Sequence, residues 1–264
     1  MEALIKVRGV SKVYAHRSTG KELVALRDVD LDIMPNEFVC LLGPSGCGKT
    51  TLLKIMDGMI LPERGTVTVD GRPVKEALGE IGFVFQDVGL LPWRTVLSNV
   101  GLGLEARGVP KSRRDEISMK YLKMVGLEPF AQYHPYQLSG GMQQRVGLAR
   151  ALAIEPKVLL MDEPFGAVDA LTRRGLQIEL ARIWDENRVT VVFVTHDVDE
   201  ALFLADRIIM MNVARVVRSV KVDLPRPRWT RETRTDPQYV NLRAELLGAL
   251  DAAQPAGAAV GGLA

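Results

Sequence analysis

The sequence predicts an α/β fold with a mostly parallel sheet, and three features carry that prediction. Apolar, strand-like runs occur at 38–42, 158–161 and 190–195, as expected for strands that are buried on both faces. Segments with a helical pattern alternate with these runs, as they do in layered α/β domains. Glycines, carboxylates or a histidine directly follow the runs, at the edge of the sheet where such folds bind ligands.

The segment at 43–51 reads GPSGCGKTT and matches the phosphate-binding pattern G-x-x-x-x-G-K-[ST]. A strand-like run precedes it and a helix-like run follows it, which is the context that the pattern requires. The backbone N–H groups of such a loop converge on phosphate oxygens, and the helix dipole adds to the attraction. We expect Lys49 at the β- and γ-phosphates and the Thr50 hydroxyl at Mg²⁺. The predicted phosphate-binding residues are Gly43, Pro44, Ser45, Gly46, Cys47, Gly48, Lys49, Thr50 and Thr51.

Two adjacent carboxylates, Asp162 and Glu163, follow the apolar run at 158–161. At the carboxyl end of a buried parallel strand they would face the bound nucleotide. We expect Asp162 to hold the Mg²⁺ shell and Glu163 to orient or deprotonate the attacking water. A positioned base typically contributes a factor of about 10² to 10⁴ in rate.

A second helix start that suits anions is predicted at LSGG, where Ser139 is a favourable N-cap before a strongly helical segment. Since the loop at 43–51 already serves the chain's own nucleotide, this site predicts contact with another nucleotide. The segment LSGGMQQR resembles the signature motif of the ABC-type ATPases. The resemblance implies contacts to the γ-phosphate of a nucleotide on the opposite subunit by Ser139, Gly140, Gly141 and Gln143.

The same resemblance assigns roles to four more residues. Gln86 corresponds to the family's Q-loop glutamine, which contacts Mg²⁺ and the attacking water, and His196 corresponds to the switch histidine at the γ-phosphate. Asp169 corresponds to the D-loop aspartate at the subunit interface. Tyr14 corresponds to the aromatic residue that stacks on adenine. The cofactors so implied are ATP and Mg²⁺, and the catalytic residues are Glu163, His196 and Gln86.

Four further segments narrow the resemblance to importer ATPases for nitrate, sulfonate, taurine and related solutes. They are QDVGLLPWRTVLSNV, EPFGAVDALTR, FVTHDVDEALFLADR and LPRPR. This resemblance implies a homodimer that drives integral-membrane permease subunits, which receive solute from an extracytoplasmic solute-binding protein. The apolar-aromatic stretch at 90–93, which includes Trp93, is the predicted permease contact.

Composition is consistent with a soluble protein that has a large core. The chain has 264 residues, a hydrophobic fraction of 47% and a formal net charge of +2. The low net charge argues against nucleic acid as a partner. No run approaches the roughly 18 apolar residues of a membrane span, and the N-terminus lacks a secretory pattern. We therefore expect a peripheral protein on the cytoplasmic face of the inner membrane.

The predicted layout is an ABC ATPase domain at 1–230 and a C-terminal extension at 231–264. Strands near 4–10, 23–33 and 66–74 predict an antiparallel β-subdomain near the adenine, and a helical subdomain is predicted as an insertion at about 87–150. The basic, proline-rich stretch at 224–236 is interpreted as a solvated connector, with contact to a partner or to anionic lipid as the alternative. The low-complexity end is expected to be disordered.

Two alternative functions stay open at this point. An ABC-type ATPase that acts on DNA or ribosomes would usually carry coiled coils, zinc motifs or a second cassette. A small-molecule kinase would explain the loop at 43–51 but would leave the signature-like segment without a role.

The segment NVARVVRSVKVD lacks the Pro-Gly-Arg turn usual in the resembled family, which puts a β-hairpin there in doubt.

Overall fold

A computed structural model describes residues 2–15, 22–166, 168–228 and 230–252. Two sheets and a set of helices form the described chain. The predicted disordered end lies outside the described residues. The strands among the described residues are β1 (Ile5–Ala15), β2 (Glu22–Ile33), β3 (Phe38–Leu42), β4 (Arg64–Val69), β5 (Arg72–Pro73), β6 (Ile81–Val84), β7 (Val158–Asp162), β8 (Thr190–Thr195), β9 (Arg207–Asn212) and β10 (Arg215–Lys221).

The larger sheet has six strands in the order β10-β9-β3-β8-β7-β6. Its inner pairings are parallel, and only the edge strand β10 runs antiparallel to its neighbour. The three apolar runs singled out in the sequence form the adjacent strands β3, β8 and β7. Their carboxyl ends therefore meet at one edge, where the predicted phosphate-binding loop, the paired carboxylates and the histidine follow.

The smaller sheet is antiparallel, with strands in the order β2-β1-β4-β5. Strand β1 pairs with β2 on one side and with β4 on the other, and register shifts interrupt both pairings. This sheet is the predicted antiparallel β-layer. It brings Tyr14, near the end of β1, opposite Leu23 of β2.

Nine α-helices complete the part of the chain that the structure describes. Helices α2 to α5 occupy the region between Gln86 and β7, where the sequence predicts a mostly helical insertion. No helix among the described residues has the length and hydropathy needed to cross a membrane. The helices are α1 (Lys49–Met56), α2 (Val96–Val100), α3 (Leu102–Ala106), α4 (Lys111–Met124), α5 (Gly140–Ala153), α6 (Ala170–Asn187), α7 (Val198–Leu204), α8 (Arg231–Thr235) and α9 (Pro237–Ala252).

Strand β3 separates two hydrophobic cores, and all five of its residues are buried. Phe38, Cys40 and Leu42 pack into the core shared with the helices, whereas Val39 and Leu41 pack into the core shared with the antiparallel sheet. Side chains of a strand alternate between its two faces, so an unbroken apolar run is the pattern for a strand covered on both sides. The loop after β3 is thereby anchored from both layers.

The prediction of a solvated connector at 224–236 is wrong for the first half of that stretch. Arg228 is only 4% exposed. Its guanidinium donates hydrogen bonds to the backbone carbonyls of Leu202, Leu224 and Val222 at 3.0–3.2 Å, and to that of Ala205. A guanidinium has five donors, so it can cap several carbonyls of a buried turn at once. Burial lowers its pKa to about 10.

The doubted hairpin between β9 and β10 does form, without the glycine-containing turn. Val213 and Ala214 make the turn with φ angles of +43° and +66°. Two successive positive φ values are those of the tight turn that best matches the twist of paired strands. The backbone carbonyl of Ala214 also accepts a hydrogen bond from the N–H of Arg27, at 2.8 Å, which ties the turn to β2.

Candidate nucleotide-binding site

A cavity of about 360 Å³ lies between the antiparallel sheet and the loop after β3. One part of its wall is formed by Tyr14 together with Leu23 and Ala25, two residues that the sequence did not single out. Leu23 is 65% exposed and stands opposite Tyr14 in the strand pairing, a juxtaposition that only strand register reveals. Predicted residues that line the cavity are Tyr14, Ser45, Gly46, Gly48, Lys49, Thr50, Thr51, Gln86 and Glu163.

Lys49, the first residue of α1, lines the cavity and is only 4% exposed. Lys49 Nζ donates to the carbonyl oxygens of Gly43 and Pro44, at 2.8 and 2.9 Å. Gly48 has φ +107°, and a Cβ there would lie 2.2 Å from the carbonyl oxygen of Ala25. Only glycine fits that approach. Gly43, Pro44 and the buried Cys47 form the frame of the loop rather than the cavity wall.

Thr50 and Asp162 meet at the end of β7, where the Thr50 hydroxyl donates to Asp162 Oδ1 at 2.8 Å. Burial raises the pKa of Asp162, and the hydrogen bond from Thr50 opposes that rise. Hydroxyl and carboxylate oxygens are the hard donors that suit Mg²⁺, which usually keeps one or two protein ligands and takes the rest from phosphates and water. Among the described residues no cluster of three His, Cys, Asp or Glu side chains forms a metal cage. This donor set therefore fits a nucleotide-bound Mg²⁺.

Glu163 stands next to Asp162 in an unusual backbone conformation. Its φ is +41°, in the left-handed region that a residue with a Cβ rarely adopts. Its N–H donates to the carbonyl of Val194 at 3.2 Å, and its Oε2 lies 3.2 Å from Nδ1 of His196. Strain of this kind is often found at functional positions. The turn aims the carboxylate into the cavity beside Gln86.

The signature-like residues lie elsewhere, around a second cavity of about 290 Å³. Gly140 and Gln143 line it, and Gln86 is the one predicted residue, among those described, that lines both cavities. Ser139 is exposed and caps α5, its Oγ accepting from the N–H of Met142 at 3.3 Å. Gly141 is buried, and a Cβ there would meet the Thr172 side chain at 2.5 Å. One chain thus does not bring Ser139 into the cavity of its own phosphate loop.

Two predicted residues of this region have local hydrogen-bond partners. Gln143 Nε2 donates to the carbonyls of Pro135 and Leu138, at 3.1 and 3.3 Å, which fixes the loop before α5. Asp169 is the N-cap of α6, accepting from the N–H groups of Leu171 and Thr172 at 3.1 Å each. These contacts shape the backbone around the two motifs.

Sequence reasoning missed Gln144, which follows Gln143. Its side chain is buried, and Nε2 donates to the carbonyl of Gln86 at 3.4 Å, linking the two motifs. The second glutamine of LSGGMQQR was the available signal. The pattern could not reveal its partner, because the two residues are far apart in the chain.

Residues 26–166 match the ABC transporter family. The chain belongs to that family. It is 48% identical, over 95% of its length and 92% of the relative's, to an uncharacterised ABC transporter ATP-binding protein of Methanocaldococcus jannaschii. It is 46% identical to the taurine import ATP-binding protein TauB of Pseudomonas aeruginosa, covering 86% of this chain and 89% of the relative. It is also 47% identical to the nitrate import ATP-binding protein NrtC of Synechococcus elongatus, over 88% of this chain but only 36% of the relative.

A solved dimeric bacterial ABC transporter cassette has the same fold, with a TM-score of 0.75 and 38% identity over 83% of this chain and 98% of the cassette. The predicted fold class, an ABC-type P-loop domain with antiparallel and helical parts, is confirmed. The chain is an ATP-binding ABC ATPase of an importer-type family. A small-molecule kinase is thereby excluded.

Proposed function

We propose that this chain is the ATP-hydrolysing, energy-coupling subunit of an ABC importer for a small anionic or organic solute. Two copies bind two ATP molecules head to tail, and their closure drives a membrane permease. The observation that carries the proposal is the separation of the phosphate-binding residues. Lys49 and Glu163 line one cavity of the chain, and the exposed Ser139 stands at the start of α5 outside it.

Within each centre, the roles follow from chemistry and position. Lys49 binds the phosphates as a point charge, while Tyr14 and Leu23 contact the base. Glu163 accepts the proton of the attacking water, and His196 holds the Glu163 carboxylate in place. Thr50, Gln86 and Asp162 supply oxygen donors for Mg²⁺, which would neutralise the developing phosphate charge.

The dimer supplies what one chain lacks. Ser139, Gly140, Gly141 and Gln143 of one copy face the γ-phosphate bound by the other, with α5 contributing its N-terminal N–H groups and positive dipole end. Asp169 lies at the same interface, before α6. The similarity to a dimeric cassette supports this arrangement.

A groove on the helical side supports a permease partner. Its volume is about 780 Å³, and its wall includes the apolar side chains of Phe83, Phe85, Val88 and Leu102. Arg150 spans it, donating to the carbonyls of Val88 and Gly89 at 2.5 and 3.0 Å. An apolar groove of this size with a polar rim suits a short amphipathic helix from a membrane subunit.

The names of the relatives support the proposed class of solute. Relatives named for nitrate import and taurine import support a small anionic or zwitterionic solute, delivered to the permease by an extracytoplasmic solute-binding protein. This chain would work on the cytoplasmic face of the inner membrane, where ATP is available. No nucleic acid takes part.

The first test is the variant Glu163→Gln, which removes the base but keeps the shape of the side chain. We expect hydrolysis to fall by a factor of about 10² to 10⁴ while ATP binding persists. Unhydrolysed ATP should then trap a dimer that gel filtration detects.

A paired comparison sharpens the test. Adding Ser139→Arg to Glu163→Gln should abolish the trapped dimer, because the long side chain would occupy the space of the partner's γ-phosphate. Adding Gln132→Arg, at another exposed position of the helical region, should leave it intact. A monomer in the presence of ATP, or a dimer indifferent to Ser139→Arg, would count against the shared reaction centre.

A further inference from the structure

A buried carboxylate, Glu200, lies behind the proposed catalytic residues and has no role so far. It is on α7 and is 7% exposed. Its Oε2 accepts a hydrogen bond from Thr195 Oγ1 at 2.5 Å, and its Oε1 accepts from Gln177 Nε2 at 2.9 Å. Thr195 ends β8, and Gln177 belongs to α6. One carboxylate on α7 therefore joins helix α6 to the end of strand β8.

The contact with Thr195 fixes the turn that carries His196. The Thr195 hydroxyl donates to the Glu200 carboxylate and accepts from the N–H of Asp197 at 3.0 Å. The second of these hydrogen bonds spans His196, because it joins the residue before the histidine to the residue after it. Asp197 in turn caps α7, accepting from the N–H of Asp199 at 2.8 Å and of Glu200 at 3.2 Å. The histidine backbone is thus enclosed by a closed set of hydrogen bonds.

The carboxylate also borders the reaction centre and the loop before α6. A small cavity of about 50 Å³ has Glu163, His196, Arg173 and Glu200 in its wall. Arg173 Nη2 donates to the carbonyl of Val168 at 3.1 Å, and Val168 is the residue before Asp169. The cluster therefore reaches both the catalytic pair and the backbone next to the proposed dimer contact.

Stability alone does not account for a carboxylate at this place. Burial raises the pKa of Glu200, and the hydrogen bonds from Thr195 and Gln177, with the charge of Arg173, oppose that rise. Packed apolar side chains of similar volume are often at least as stable as buried ionic clusters. A buried cluster that touches a reaction centre is a candidate for a functional role.

We propose that Glu200 is a positioning residue for ATP hydrolysis, which ties α6 and the loop before it to the turn that presents His196. The inference rests on the proposed roles of His196 and Glu163. When the partner subunit contacts the loop at Asp169, this tie transmits the position of α6 to the histidine. Hydrolysis is then coupled to dimer closure through side chains of one subunit.

The test is Glu200→Leu in the full-length chain. Leucine has a similar volume but no hydrogen-bond acceptor, so the Thr195 hydroxyl and the Gln177 amide both lose their shared partner. Displacing a catalytic group by about 1 Å costs up to roughly a hundredfold. We therefore expect kcat to fall by about tenfold to a hundredfold, with the KM for ATP within about twofold of the parent value.

A double variant that exchanges the side chains at 177 and 200 tests whether kcat can be rescued. In Gln177→Glu/Glu200→Gln, the amide at 200 donates to the carboxylate at 177 and still accepts from Thr195. We expect this double variant to recover most of the lost kcat. The matched control is Asp199→Asn, one residue earlier on α7, whose carboxylate faces Arg243 and Tyr239 of α9 instead. It should keep the parent kcat.

A double-mutant cycle distinguishes positioning from general support of the fold. If Glu200 acts through His196, then Glu200→Leu should slow the parent but add little to His196→Ala. Multiplicative losses, or a normal kcat in a folded Glu200→Leu, would overturn the inference. If that variant fails to fold, Thr195→Val, which removes the hydroxyl at equal volume, should show the same loss of kcat, and a normal kcat there would overturn the inference.

Failure of the proposed function has a different outcome. Full hydrolysis by His196→Ala and Glu163→Gln would overturn the roles of those residues, and this inference with them. Loss in those two variants with normal hydrolysis in Glu200→Leu would overturn only the role of Glu200.

Discussion

At the residue scale, the acidic side chain at the end of α1 is the clearest case of a group whose charged form destabilises the folded protein. Asp57 is the C-cap of the helix that follows the phosphate loop, and burial raises its pKa to about 7. A negative charge at a helix C-terminus is also opposed by the helix dipole. The folded protein therefore binds the proton of Asp57 more tightly than the unfolded chain does.

The sign of the pH dependence follows from that difference. Below the unfolded pKa of about 4, Asp57 is neutral in both states and costs nothing. As the pH rises from about 4 to 7, the unfolded chain ionises more readily and stability is lost, until both states are charged above about pH 8. The variant Asp57→Asn should thus gain stability relative to the parent as the pH rises, by on the order of 2–4 kcal/mol at most.

Denaturant unfolding of the parent and Asp57→Asn between pH 4 and pH 8 measures this gain. A useful control is Asp70→Asn, because the hydrogen bond and charge of Lys157 lower the pKa of Asp70. That variant should lose stability at neutral pH relative to low pH, the opposite trend. A difference between Asp57→Asn and the parent that does not change with pH would contradict the prediction.

At the element scale, the β9–β10 hairpin shows how strand pairing overrides turn chemistry. Val213 is β-branched and 74% exposed, and it gains little from its place in the turn. A β-branched residue with φ near +43° is strained. Two features hold the turn in place. Strands β9 and β10 pair from Arg215–Asn212 to Lys221–Arg207, and the N–H of Arg27 donates to the carbonyl of Ala214. The hairpin therefore forms with unfavourable turn residues.

Replacing these residues with the favoured pair should stabilise the protein. The double variant Val213→Asn/Ala214→Gly suits two positive φ values, and we expect a gain of about 0.5–1 kcal/mol. Thermal unfolding measures it as a rise in Tm. The control is Val217→Asn, an exposed position within β10, which should give no gain. A lower Tm for the double variant would show that the turn carries no strain.

At the scale of the whole molecule, an ion pair links the groove to the loop at 91–95. Asn99 is fully buried and its side-chain NH₂ donates to the carbonyls of Leu91, Arg94 and Thr95, at 3.0–3.2 Å. Arg94 pairs with Glu105, a residue of the groove wall. The hydrogen bonds of Asn99 hold the backbone of this loop, on which Trp93 is 73% exposed.

The variant Trp93→Ala tests this surface. Exposed tryptophans that anchor a partner typically contribute about 2 kcal/mol or more to binding, so we expect loss of solute uptake by the assembled importer. Hydrolysis by the isolated chain should persist, because no residue of the nucleotide cavity changes. The control Val240→Ala, half exposed on α9, should keep both activities. Equal loss of uptake and hydrolysis in Trp93→Ala would exclude a docking role.

Much of the fold was predictable because its signals are local. The run at 38–42 followed by GPSGCGKTT specifies a strand, a loop and a helix within one short segment, and unbroken apolar runs specify strands covered on both faces. The same reasoning located Asp162, Glu163 and His196 at one edge of the sheet, and LSGG at the start of a helix. Their assigned roles remain predictions for the experiments above.

The sequence by itself determined the fold class, the family and the order of the motifs along the chain. The tertiary structure alone decided which distant side chains meet: Leu23 beside Tyr14, Gln144 at Gln86, Arg228 within a buried turn and Glu200 between α6 and the turn of His196. The physical reason is that periodicity and loop chemistry act over a few residues, whereas burial and hydrogen bonding between elements depend on strand register and helix packing. A carboxylate or guanidinium looks solvent-exposed in a sequence until the folded chain supplies its partners.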